Sequence, residues 1–179
     1  MGCQNSLALA LRCSDADLDK YVLITHILPM TVLQRVQQRG FKTPAEAAVV
    51  SVMVAGAEIE QAVGAVLAPH GLTLDQYNVL RILRGAYPGG LPRYDVAQRM
   101  VHPAPDVTRM LDRLARQGWM GRGRDAEDAR LSVAKITKAG LALLERIDPE
   151  IEVLEARIAA SLSPAQLRRL ARLCDALVT

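Results

Sequence analysis

Three arginines and a threonine lie at positions that one face of a helix would bring together. From Pro105 to Gln117 the apolar side chains follow i, i+3, i+4 and i+7 spacing and share one face: Val107, Met110, Leu111 and Leu114. The opposite face carries Thr108, Arg109, Asp112, Arg113 and Arg116. Arg109 and Arg113 lie one turn apart, where guanidinium groups can donate to base edges or to phosphates. This face therefore fits duplex DNA.

Two plainer interpretations of these residues stay open. The arginines could form a solvated helix face on which Asp112 pairs with Arg116. Asp106 precedes the helix and fits a capping role better than contact with a cytosine, because a carboxylate accepts from the free N–H groups of a first turn.

A predicted hairpin follows this helix directly. Residues 119–137 read as two short extended runs joined by a polar tip from Arg124 to Arg130. Positive charge is concentrated here. Residues 91–140 contain ten Lys or Arg and six Asp or Glu and so carry a net charge of +4, whereas the whole chain carries +3 and the rest of it therefore −1. Arg124 and Arg130 are therefore candidates for the minor groove, where narrow A·T tracts concentrate negative potential.

Capping signals indicate the helices that must position these residues. Thr43, Pro44 and Glu46 predict a helix of about 25 residues that ends near Pro69, while Thr73 with Gln76 opens another. Two shorter helices are predicted at Arg93–Met100 and Pro105–Gln117. A final helix begins at Ser163, Pro164 and Gln166, and carries an apolar stripe of Leu167, Leu170, Cys174 and Leu177.

The apolar spacing of a long helix between the hairpin and Ser163 predicts that this helix packs lengthwise on another and contributes to a dimer. Its apolar residues alternate at spacings of three and four: Leu144, Ile147, Ile151, Leu154 and Ile158. Pro149 lies within it and predicts a kink or a break. The chain thus divides into an N-terminal extension (1–42) of uncertain structure and a domain at 43–179. Within this domain we expect a DNA-binding part at 91–138, called the reading head, and dimerisation helices at 43–68 and 139–179.

Composition favours a helical protein without catalytic chemistry. Half of the residues are apolar but only 3% are aromatic. No Walker loop, GxSxG, HExxH or dinucleotide fingerprint is present. The cysteines are scattered and the histidines fall on different predicted elements, so no metal or cofactor is expected, and Cys174 fits a small core residue better than a redox sensor. The apolar run Leu7–Leu11 supports neither a signal nor a membrane helix, and a reducing cytoplasm fits best.

Three segments together resemble the MarR family of winged helix-turn-helix regulators. DVTRMLDRLARQGWM (106–120) is similar to its recognition helix, DAEDARLSVAKITKAG (125–140) to its wing, and APHGLTLDQYNVLRILRGA (68–86) to its second-helix region. The likeness covers about residues 44–178. It implies a mainly α fold with a small β-hairpin wing, in which a winged helix-turn-helix is joined to N- and C-terminal dimerisation helices.

The resemblance also implies roles for single residues. Thr108, Arg109 and Arg113 match DNA contacts of the recognition helix, Arg130 matches the wing-tip arginine, and Asp128 matches an aspartate that holds the tip. Some wing residues depart from the family pattern and predict a looser wing that binds the minor groove more weakly: Gly121, Gly123, Ala129, Ser132 and Ala134.

The implied function is that of a homodimeric repressor of transcription that binds a pseudo-palindromic operator in double-stranded DNA. An oxidant or a small phenolic or anionic ligand is expected to release it. Candidate ligand residues are Tyr77, Arg81, Arg84 and Arg122, of which Arg122 also lies near DNA in the family. Neither a cofactor nor a membrane partner is expected. The alternative is a helical scaffold dimer that has lost DNA binding, for which a glycine-bearing wing is the support.

Overall fold

A computed structural model describes residues 31–103, 106–124 and 131–178 of the chain. Two compact units meet in sequence at Gly56 and Ala57. The first contains a short helix α1 (Val32–Arg35), which begins at a capping box formed by Thr31 and Gln34, and the first half of helix α2 (Pro44–Leu67). Part of the predicted extension is thus helical.

The second unit holds the remaining elements. They are a 3-10 turn (Ala68–His70), α3 (Leu74–Gly85), β1 (Leu91–Pro92), α4 (Arg93–Gln98), α5 (Val107–Arg116), β2 (Met120–Arg124), β3 (Ser132–Ile136), α6 (Lys138–Ala159) and α7 (Pro164–Asp175). The predicted fold class is confirmed: the protein is mainly α with a small antiparallel sheet. Each predicted helix is present with its ends shifted by a few residues at most.

Side-chain caps fix where α3, α5 and α7 begin. Thr73 and Gln76 form the predicted capping box of α3, and Ser163 and Gln166 form that of α7. Asp106 caps α5, because its Oδ1 accepts from the backbone N–H of Arg109 at 3.0 Å. The capping role predicted for Asp106 is therefore confirmed.

The hairpin belongs to a sheet of three strands in the order β1-β3-β2. β2 pairs antiparallel with β3 from Met120↔Ile136 to Arg124↔Ser132, and β1 pairs with β3 through Leu91↔Ala134. Strand β1 was not predicted, since it is only two residues long. Gly118 connects α5 to β2 at a φ of 76°, a left-handed conformation that suits glycine.

The core of the second unit lies where the helices pack on this sheet. Its most deeply buried large side chains come from six elements: Leu67, Val79, Leu80, Leu83, Val96, Leu114, Val133, Leu144 and Ile147. Leu114 is the buried anchor of α5, and Val133 is that of β3. Helix α5, called the reading helix below, and the wing are thus fixed to the same core.

The predicted seam of α6 is largely buried within the single chain, so its spacing does not mark a surface that faces a second copy. The assignment of residues 139–179 to dimerisation stays a prediction. Leu144, Ile147, Ile151 and Leu154 belong to the core of the second unit, and only Ile158 of the five is exposed. Spacing showed which residues share a face but not what covers it. The helix also continues through Pro149 without a break.

Helix α2 is strongly apolar yet exposed. Together with the 3-10 turn it forms, among the described residues, the one helical segment (Pro44–His70) long and apolar enough to cross a membrane by length and composition alone, with a mean hydropathy of 1.5. Only 6% of its most apolar window is buried. The expectation of no membrane partner rested on Leu7–Leu11 and overlooked this helix.

Candidate nucleic-acid interface

Helix α5 separates its side chains into two faces. Val107, Leu111 and Leu114 are buried against the core, while Thr108, Arg109, Arg113 and Arg116 are exposed. Apolar side chains at helical spacing bury one face, and this orients the polar residues between them outward. The structure thus brings together three of the predicted DNA-binding residues, Thr108, Arg109 and Arg113.

Arg109 projects furthest from this face. Its side chain is 89% exposed, although Nε lies 2.9 Å from Oδ2 of Asp106. Exposed ion pairs of this kind contribute about 0.2 to 1 kcal/mol and are readily exchanged for another acceptor. Arg109 is therefore available to an anionic or acceptor-rich partner while Asp106 continues to cap the helix.

A shallow hollow of about 480 Å³ lies between α5 and the start of α3. Its lining comprises Thr73, Asp75, Gln76, Arg109, Met110, Asp112, Arg113 and Arg116. Three guanidinium groups line it against two carboxylates. Among the described residues, Arg113 and Arg116 have no ion-pair partner, so this surface presents unneutralised positive charge.

An ion pair joins the reading helix to the wing. Nη2 of Arg122 on β2 donates to Oδ1 of Asp112 on α5. The alternative pairing of Asp112 with Arg116 is not formed. Arg122, a candidate ligand residue, thus lies against α5, where it also lines a hollow of about 330 Å³ with Thr108 and Arg93.

The wing carries exposed basic residues up to the limit of the described strands. Arg122 and Arg124 alternate with Gly121 and Gly123 along β2, so both arginines lie on one face of the sheet. Arg124 is the last described residue before the tip. Arg130 and Asp128 lie outside the described residues.

Tyr77 and Arg81, two of the candidate ligand residues, meet in a separate cavity of about 260 Å³. The guanidinium carbon of Arg81 lies 5.7 Å from the centroid of the Tyr77 ring, a cation–π distance. Burial raises the pKa of the Tyr77 hydroxyl above its usual value, and the positive charge of Arg81 opposes that rise. An aromatic ring and a guanidinium group thus line the same cavity.

Arg84, another candidate ligand residue, does not line this cavity. Its Nη1 donates to Oδ2 of Asp148 on α6 at 2.6 Å. Beyond Pro149, Glu150 lies 2.9 Å from Nε2 of His70. Arg84 and His70 therefore brace α6 on either side of the proline.

His102, in the turn between α4 and α5, is a residue that sequence reasoning missed. Its Nε2 lies 3.0 Å from Glu60 of α2, and its Nδ1 lies 3.4 Å from Asp75 of α3. Hydrogen bonding to Asp75 first, and to Glu60 second, raises the pKa of the His102 imidazole. These contacts span 42 and 27 residues, and no local pattern indicates them.

The turn has a second anchor in Asn78, whose Oδ1 accepts from the backbone N–H of Val101 at 2.9 Å. The turn that sets the angle between α4 and α5 is thus attached to α3 through two side chains. No group of described His, Cys, Asp or Glu residues could hold a metal ion.

A braced helix whose polar face is exposed, preceded by a short helix and followed by an antiparallel wing, defines a winged helix-turn-helix. The family model for MarR matches residues 72–132, which span α3 to the first residue of β3. The homoprotocatechuate degradative operon repressor of Escherichia coli is 30% identical over 106 residues, 59% of this chain and 70% of that protein. The chain belongs to the MarR family.

Solved structures show the same fold at lower identity. CouR from Rhodococcus jostii, crystallised with p-coumaroyl-CoA, has a TM-score of 0.68 at 19% identity, over 76% of this chain and 95% of that one. A mutant MarR from E. coli in complex with operator DNA has a TM-score of 0.64 at 22% identity, over 72% and 91%. The protein is accordingly a DNA-binding transcriptional regulator, a class that is not enzymatic.

Proposed function

We propose that the protein is a homodimeric repressor that binds a pseudo-palindromic operator and releases it when a small phenolic or anionic molecule binds. The observation that carries this proposal is the exposed basic face of α5, anchored by Leu111 and Leu114 and joined to the wing through Asp112 and Arg122. A rigid helix with projecting arginines is what reading a base sequence requires.

In this proposal α5 enters the major groove and the wing follows the adjacent minor groove. Thr108, Arg109 and Arg113 contact base edges and flanking phosphates. Arg124 lies at the edge of the minor groove, and Arg130, beyond the described part of the wing, enters it. The MarR of E. coli has the same fold and was crystallised on operator DNA, which supports this placement.

The dimer is supported by apolar surface that a single chain leaves uncovered. Helix α7 exposes Leu170 and Leu173, and Leu177 just beyond its end is exposed as well. Ile158 near the end of α6 is also exposed. Helix α2 adds Val49, Val52, Met53 and Ile59. Apolar patches of this extent are covered by a partner in soluble proteins. A second copy would account for the exposure of α2 without a membrane, and action on DNA supports a cytoplasmic location.

The effector is supported by the cavity at Tyr77 and Arg81. In this proposal a phenyl ring packs against its apolar lining of Ile151, Leu154 and Ile158, while Arg81 pairs with a carboxylate. One E. coli relative represses an operon that degrades homoprotocatechuate, and CouR was crystallised with p-coumaroyl-CoA. We favour a ligand over an oxidant because the cavity offers a binding site for one, whereas the described cysteine, Cys174, has no described cysteine beside it.

Selection from a pool of randomised 40-base-pair duplexes tests the function, because it needs no prior operator. The purified full chain should enrich an inverted repeat whose half-sites are about one helical turn apart. Enrichment should disappear when Arg109 and Arg113 are both changed to Ala. A folded protein that enriches no sequence in repeated selections contradicts the proposal and favours the scaffold dimer.

A further inference from the structure

Lys135 lies in a trough of glycines on one face of the wing. It pairs with Gly121 across the strands, and Gly90 precedes the residue that pairs with Ala134. A Cβ at Gly90 would lie 2.6 Å from Cγ of Lys135, and a Cβ at Gly123 would lie 2.8 Å from its Cε. The stem thus occupies space that a side chain at Gly90 or Gly123 would fill.

The contacts with the trough show in which direction the side chain of Lys135 extends. Gly123 pairs with Val133, which is two residues closer to the wing tip than Lys135. A Cβ at Gly123 would lie 3.4 Å from Nζ of Lys135, so the stem runs toward the tip and carries its ammonium group along β2. The looseness predicted from Gly121 and Gly123 therefore overlooked a specific use of Gly123, beside which the lysine stem lies.

Lys135 and the wing arginines lie on opposite faces of the sheet. Arg122 pairs with Ala134 and Arg124 with Ser132, whereas Lys135 is in the alternate register. Arg122 is neutralised by Asp112, but the ammonium of Lys135 has no ion-pair partner among the described residues. Lys135 therefore adds an unpaired positive charge to the face opposite to the one that carries Arg122 and Arg124.

We propose that Lys135 contacts a DNA phosphate on the side of the minor groove opposite to the one that Arg124 faces. The minor groove is about 6 Å wide and is bordered by two rows of phosphates, so a hairpin that enters it turns one face to each row. Because the ammonium of Lys135 lies along the opposite face of the hairpin, it reaches the row of phosphates that Arg122 and Arg124 do not face. This inference rests on the proposed function, since it requires that the wing follow the minor groove.

The charge of Lys135 is tested by the salt dependence of binding to the selected duplex and to a scrambled one. Each phosphate contact contributes about 0.9 to the slope of log K against log salt concentration. Lys135→Gln should lower the slope by about 0.9 per subunit on both duplexes, because phosphate contacts carry no sequence information. Lys135→Arg should restore it. Arg168→Gln, which removes one charge from α7, is the matched control and should leave the slope unchanged.

The trough is tested by Gly123→Ala, whose methyl group would displace the lysine stem. Gly123→Ala alone should lower the slope, and in the Lys135→Gln background it should lower it no further. Circular dichroism confirms that each variant is folded. If the wild type binds with a steep slope that Lys135→Gln leaves unchanged, the inference is overturned and the proposed function stands. If the wild type shows no salt-dependent binding, both fail.

Discussion

Asp112 on the reading helix and Arg122 on the first wing strand form the ion pair that links the two DNA-facing elements. Both side chains are about half exposed, so the pair contributes at most about 1 kcal/mol to folding. Its larger effect is on charge, because Asp112 neutralises an arginine beside the proposed DNA surface.

Asp112→Asn should therefore change DNA binding more than stability. Loss of the carboxylate removes a repulsion of phosphates and frees Arg122, so affinity for a scrambled duplex should rise several-fold and discrimination for the selected site should fall. Fluorescence anisotropy on both duplexes measures this. Asp175→Asn on α7 is the charge-matched control. Weaker binding to both duplexes would instead mean that the pair positions the wing.

The contacts of His102 predict a stability that depends on pH. A neutral imidazole donates from one nitrogen only, so between Glu60 and Asp75 the imidazolium is favoured, and the pKa in the folded state is raised. A raised pKa stabilises the fold fully below the unfolded value of about 6.5, and this contribution is lost as pH rises through the folded value. Thermal unfolding between pH 5.5 and 8.5 should show this loss in the wild type and much less of it in His102→Gln.

Glu60→Gln serves as the partial control, because it removes one of the two carboxylates and leaves Asp75 in place. It should reduce the pH dependence without abolishing it. Identical pH profiles for the wild type and His102→Gln would show that the exposed contacts are too well solvated to shift the imidazole.

The exposed leucines of α7 predict a dimer that surface charge should disrupt. Leu173 is 55% exposed in the single chain, so Leu173→Glu should leave the monomer fold intact and place a carboxylate in the interface. Sedimentation at micromolar concentration should show the wild type as a dimer and the variant as a folded monomer. Arg172→Glu is the neighbouring control. A monomeric wild type would remove the basis for a palindromic operator.

Arg81 and Arg84 should differ in their response to ligand, although they are three residues apart. Arg81 lines the cavity, whereas Arg84 is paired with Asp148. Arg81→Ala should bind DNA normally but lose release by aromatic carboxylates such as hydroxyphenylacetate, and Arg84→Ala should lower stability but keep the response. Titration of the ligand into the DNA complex separates the two. Equal responses in both variants would place the ligand elsewhere.

Local signals were enough to predict the reading helix and its caps. Spacing assigned Leu111 and Leu114 to the buried face, and the capping residues Thr73, Asp106 and Ser163 mark where helices begin. These features depend on residues within one or two turns of each other, so a single sequence contains them in full.

Features set by distant contacts were missed. The periodicity of α6 predicted a buried face but could not show that Ile147 packs within its own chain. His102 looked isolated because its partners are far away in sequence. Gly123 suggested looseness because sequence alone does not show that Lys135 from the neighbouring strand fills the space beside it.

The most direct test of DNA reading compares Arg109→Ala with Arg168→Ala on the selected operator and on a scrambled duplex, by anisotropy at several salt concentrations. Arg109→Ala should cost about 1 to 3 kcal/mol on the operator and relax preference at one symmetric pair of positions, while Arg168→Ala should bind as the wild type does. Circular dichroism should show both variants folded. If Arg109→Ala and the double variant with Arg113→Ala bind both duplexes like the wild type, the basic face of α5 is merely solvated and does not read DNA.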